Sequence, residues 1–98
     1  MGLLGDSISL ECWLDPYIRE VTWQQGSREI FIHQNLQDTT IRTENSIRWF
    51  SEIDINQLRS TLVIKHVQYN DSGSYSCKQH FERVIIKIST YVLHVQGR

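Results

Sequence analysis

Apolar and polar residues alternate along most of this chain, and the alternation is clearest between Arg59 and Cys77. Leu62 and Ile64 sit two apart, a polar Asn70-Asp71-Ser72-Gly73 stretch supplies turn chemistry, and the period resumes through Tyr75 and Cys77. This pattern predicts two strands, 59–65 and 74–81, joined around a corner. Upstream, Ile8, Leu10, Cys12 and Leu14 fall on one face of a strand over 7–14, which places Trp13 on the other face. Cover from a neighbouring loop or from the first strand is the expected fate of that indole, since single outward apolar residues are common. Asp15-Pro16 ends the strand, because proline lacks a ladder donor and restricts the residue before it. Val21 and Trp23 point inward from a strand over 21–25, Gly26-Ser27 turns the chain, and 28–33 forms the next strand. Residues 46–53 form another strand, and Glu82-Arg83 is the tip of the last hairpin. The polar segment between Gln34 and Glu44 carries the least signal.

The arrangement Asp71-x-Gly73-x-Tyr75-x-Cys77, preceded in order by Cys12 and Trp23, resembles the immunoglobulin superfamily over nearly the whole chain. The resemblance implies an all-β fold: a two-sheet antiparallel Greek-key sandwich of the variable or intermediate set with one inter-sheet disulfide. It further implies a Cys12–Cys77 bridge with Trp23 packed on it, Leu62 and Ile64 in the core, and a Tyr75 hydroxyl bonded back to the backbone. The cysteines lie 65 residues apart, which leaves room for extra central strands, and a bridge of that span would contribute about 4 kcal/mol through chain entropy. Variable-type members pair an arginine that opens the strand corresponding to 46–53 with the aspartate of the corner. Arg48 with Asp71 is the pair this implies, with Arg42 and Arg59 as alternatives. No Phe-Gly-x-Gly bulge occurs in the last strand, which argues against an antigen-receptor chain.

Length and charge narrow the function. Ninety-eight residues suffice for a single domain, 1–98, expected to be part of a larger multi-domain chain. Ten aromatic residues allow a substantial core. A net charge of −1 gives no basic excess for nucleic acid, and no apolar run reaches the roughly 18 residues of a membrane span. The opening Met1-Gly2-Leu3-Leu4 runs at once into Gly5-Asp6, so a leader and any anchor are expected outside this piece. A disulfide requires an oxidising compartment, which places the domain outside the cell, at the surface or secreted. Paired buried thiols, as in cytoskeletal immunoglobulin domains, are the alternative.

The chemistry of catalysis is absent from the pattern. His33, His66, His80 and His94 have neither metal-ligand spacing nor a cysteine cluster, and read as surface or strand-edge histidines. No GxSxG elbow occurs, and with both cysteines in the core no nucleophile remains, so neither an enzyme nor a cofactor is expected. Asn70-Asp71-Ser72 is an acceptor triplet for N-linked glycosylation and equally ordinary turn chemistry. Two functions fit: an extracellular recognition module of a receptor, adhesion molecule or secreted binding protein, or a structural spacer in an elongated chain. A protein partner, homophilic or heterophilic, would meet the sheet face that variable-type domains commonly use, built here from the strands over 21–25, 28–33 and 74–81 and the last strand, which ends at Val95, and a dimer would use the same face. If Tyr91, Leu93 and Val95 face inward, Ile86, Ile88 and Val92 face outward, beside Lys78, His80, Thr22 and Gln24 and with Phe31 of the 28–33 strand. A bulge between Ile85 and Thr90 would instead turn the isoleucines inward and leave Lys87 outside, and the sequence permits either register.

Overall fold

The computed structural model of the protein describes residues 2–34, 41–44, 48–54 and 56–97. Two four-stranded antiparallel sheets form the sandwich. The first runs β2 (Ile8–Trp13), β7 (Arg59–Ile64), β6 (Trp49–Asp54), β5 (Ile41–Glu44). The second runs β4 (Arg28–Gln34), β3 (Glu20–Gln25), β8 (Gly73–Phe81), β9 (Val84–Leu93). A parallel pair, β1 (Gly2–Leu3) with β10 (Val95–Gln96), completes the strand set. The all-β, two-sheet class that the resemblance implies is the observed one. The strand expected at 46–53 begins at Trp49, and residues 46 and 47 lie outside the described residues. Within the poorly readable segment, Ile41–Glu44 pairs antiparallel with β6 as a fourth strand of its sheet.

Period two explains the core. Along β7 and β6 buried and half-buried residues alternate strictly, which sends Ser60, Leu62 and Ile64 inward, and Trp49, Ser51 and Ile53 with them. Trp23 lies directly opposite Cys77 across β3 and β8, and Cys77 is bridged to Cys12 of β2, so the disulfide ties one sheet to the other. The Trp23 indole is fully buried, and its Nε1 donates to Ser60 Oγ at 2.9 Å, satisfying a donor whose burial unpaired would cost free energy. Leu93 and Val95 are buried and Tyr91 is half-buried. The Tyr91 ring stacks on Trp23, and its hydroxyl donates to the Glu11 carbonyl of β2.

Three expectations are corrected. Phe31, read as part of the outward set, is 2% exposed in the core. A two-residue hairpin counted regularly from Gly26-Ser27 would set Ile30 opposite Trp23. A bulge makes Ile30 the extra residue, so Phe31 stands opposite Trp23 and shares its inward side. His33, read as a surface or edge histidine, is displaced by the same shift: it pairs with the inward Val21, is buried, and bonds Ser51 Oγ at 3.0 Å across the sandwich. Trp13 lacks the expected cover and is 57% exposed; its cross-strand partner Arg59 holds a guanidinium 5.8 Å from the ring centroid.

Candidate binding face

The outer side of the β4-β3-β8-β9 sheet is assembled by cross-strand registers. Ile32, Thr22, Lys78 and Ile88 form one continuous row across the four strands. Ile32 is 49% and Ile88 54% exposed, whereas Thr22 between them is buried. The next row toward the β8–β9 hairpin holds Glu20, His80 and Ile85, and the row on the other side holds Gln24, Ser76 and Thr90. Val92 stands opposite Ser74 and is 77% exposed.

Of the two registers the sequence permits, the one with a bulge between Ile85 and Thr90 is present, with the bulge at Ile86: Gln79 pairs with Lys87 and His80 with Ile85, which leaves Ile86 as the extra residue. Its consequence differs from the expected one. Ile85, Ile86, Lys87 and Ile88 are all exposed, and none of the isoleucines turns into the core. Both faces of the hairpin meet solvent here, as Phe81 and Val84 are exposed too. Glu82 at the hairpin tip takes φ 57, a left-handed conformation that costs a non-glycine residue on the order of 1 kcal/mol. The hairpin thus presents apolar side chains from a locally strained tip.

Of the residues expected at this face, Ile86, Ile88, Val92, Lys78, His80 and Gln24 are on or beside it, and Phe31 is not. His80 is half-buried, its Nε2 lacks a hydrogen bond and lies 3.7 Å from Glu20 Oε2. Sequence reasoning missed Ile32, Ile85 and Glu20. Ile32 follows from Thr22 once the bulge at Ile30 is known, and nothing in the Ile30-Phe31-Ile32 run announces that bulge.

A polar scaffold fixes the sheet behind this face. Gln79, fully buried on β8, donates from Nε2 to the Trp13 carbonyl at 2.8 Å and accepts the Asp15 N–H at 2.8 Å, so it anchors the end of β2. At the opposite end Arg48 holds Asp71 with two bonds, 2.8 and 3.1 Å, and donates to the carbonyls of Lys65 and His66. The bond to Asp71 raises the pKa of Arg48 above its already high ordinary value, so the cation persists at any physiological pH. The buried Asp71 carboxylate also accepts the Gln68 N–H, and its carbonyl accepts the Tyr75 hydroxyl at 2.5 Å. Burial pushes the Tyr75 hydroxyl well above its usual range, which keeps it a donor. Asn70 is exposed on the 3-10 turn Tyr69–Asp71. Among the described residues no group of three His, Cys, Asp or Glu side chains could hold a metal ion, and no helix is long and apolar enough to cross a membrane.

The chain is similar in fold to the NK cell receptor Nkp44, described as a triggering partner in natural cytotoxicity. The TM-score is 0.80 at 16% identity, over 98% of this chain and 95% of that one. No curated protein matches. The family model for the immunoglobulin V-set domain matches residues 1–96, in agreement with the bridged sheets, the buried Trp23 and the Tyr75 corner, and the chain therefore belongs to the immunoglobulin V-set family.

Proposed function

We propose that this V-set domain is a non-enzymatic extracellular recognition module, one domain of a cell-surface receptor or adhesion protein, and that it binds a protein partner through the outer face of β4-β3-β8-β9. The exposed cluster of Ile32, Ile85, Ile86 and Ile88 around Lys78 carries this reading. Apolar patches edged by polar groups mark interaction surfaces, and here Glu20 and His80 border one side, Gln24, Ser76 and Thr90 the other. Each isoleucine is about half accessible, so covering it contributes on the order of 1 kcal/mol. Four such side chains offset only part of the cost of association. Lys78 and the polar rows must supply the remainder and the specificity, which suits a reversible surface contact.

Ile88→Lys tests the reading when tetramerised domain is used to stain a panel of cells. Staining by the variant should fall at least tenfold with a melting temperature close to wild type, while Trp13→Ser on the other sheet stains normally. Unchanged staining by Ile88→Lys, or equal loss in Trp13→Ser, would place binding elsewhere. Sedimentation of the unmutated domain separates a self-associating face from a heterophilic one.

A further inference from the structure

The corner that joins Arg48 to Asp71 also carries the triplet Asn70-Asp71-Ser72, and beside it opens a cleft of about 370 Å³. Asn70 lines it together with Gln25, Arg28 and Ile30 of the β3–β4 hairpin and with Arg48 and Trp49. A lining that mixes the polar groups of Gln25 and Arg28 with the apolar Ile30 and Trp49 suits a sugar ring, which has hydroxyl edges and a C–H face. The rest of the triplet is built into the fold. Asp71 is buried and paired on both its carboxylate and its carbonyl, and Ser72 Oγ accepts the Val95 N–H at 3.1 Å. Asn70 and Ser72 are exposed, but the Asp71 between them is held in the interior and the Ser72 hydroxyl is engaged by Val95, which hinders a transferase that must grip Asn70 and that hydroxyl together. We propose that Asn70 carries an N-linked glycan, added before the corner folds, whose first sugar rests in this cleft. In the transfer, the Asn70 amide nitrogen bonds to C1 of an oligosaccharide linked to a polyisoprenyl pyrophosphate. The C1–O bond breaks as the C–N bond forms, the pyrophosphate leaves, the amide proton passes to a base of the transferase, and nothing is oxidised or reduced.

The glycan sits at the end of the sheet away from the hairpin tip. From Ser74 to His80 the strand spans about 20 Å, so the isoleucine cluster stays uncovered. The proposal rests on the extracellular reading above, and the experiment separates the two. The domain is secreted from a eukaryotic host behind a supplied leader, and the peptide containing Asn70 is weighed before and after peptide-N-glycosidase treatment. A mass loss with conversion of Asn70 to aspartate is expected, retained in Ser72→Thr and absent in Asn70→Gln. A secreted, disulfide-bonded chain with unmodified Asn70 overturns the glycan and leaves the extracellular reading standing; a chain retained with free thiols overturns that reading. Microsomal transferase offered native and reduced, unfolded chain should modify only the latter, and equal modification overturns the order of events. Enzymatic removal of the glycan from the folded domain should lower its melting temperature by about 4 °C, a difference that Arg28→Ala abolishes. No difference in wild type, or one unaffected by Arg28→Ala, overturns the seat in the cleft.

Discussion

The two sides of β8 are specified in different ways. Inward, Tyr75, Cys77 and Gln79 are each fully buried and each has a defined partner: the Asp71 carbonyl, Cys12, and the backbone of Trp13 and Asp15. Outward, Ser76, Lys78 and His80 stand among side chains that meet solvent, and His80 leaves a ring nitrogen without a hydrogen bond. Substitution on the first side leaves cavities or unpaired polar groups, which are costly; on the second it changes mainly what the face can touch. Recognition can therefore diverge on the outer face while the sandwich behind it stays fixed.

Truncation at the two ends of this contrast should separate most. Leu62→Ala removes a fully buried side chain between the sheets and should cost about 2–5 kcal/mol in urea unfolding, with the slope of the transition unchanged. Ile88→Ala on the outer face should cost no more than about 0.5 kcal/mol. Comparable losses would mean that Ile88 packs as a core residue, and the division between the two sides would fail.

Arg48→Met probes the polar end of the interior. It leaves the Asp71 carboxylate buried with only the Gln68 N–H for support, and should cost about 3 kcal/mol. Arg48→Lys should recover part of this, since it restores the charge but not the two-point geometry. If Arg48→Met melts with wild type, the corner does not depend on the pair.

Much of the interior was legible because alternation there is unbroken. Ile8 to Leu14, Val21 with Trp23, Leu62 with Ile64, and Tyr75 with Cys77 each declare a single parity, and the motif around Asp71 adds the corner. The Ile30-Phe31-Ile32 run declares none. Its side is set by a bulge that exists only once β3 and β4 have paired, and Phe31 and His33 were misplaced together for that one reason. The ambiguity at the start of β9 has the same origin at Ile86, where successive apolar or long side chains follow a hairpin that extends past the core. Gln79 went unnoticed because a buried amide looks like any polar residue until its two backbone partners are known.

Tyr75→Phe removes one oxygen from the interior. The Asp71 carbonyl loses its donor and the Gln25 amide its acceptor at 3.2 Å, so a loss of about 1–3 kcal/mol is expected without any change in the ring packing on Trp49. A loss near zero would show that water replaces the hydroxyl.

The smallest expected effect belongs to His33, the buried group that links β4 to β6. Packed against Phe31 and bonded to Ser51, it is held by burial below its ordinary pKa of 6.5. The unfolded chain therefore takes up a proton at a pH where the folded chain does not. Stability from this group is fully present above about pH 6.5 and is lost as pH falls below that value toward the folded-state pKa, at no more than about 1.4 kcal/mol per pH unit. His33→Gln can keep a bond to Ser51 and cannot titrate, so the difference in urea midpoint between wild type and variant isolates this group from every other. The wild-type midpoint should fall faster than that of His33→Gln between pH 7.5 and 5.5. Parallel curves would mean that the imidazole takes up its proton in the folded state as readily as in the unfolded chain, and that this part of the interior is as open to solvent as the outer face.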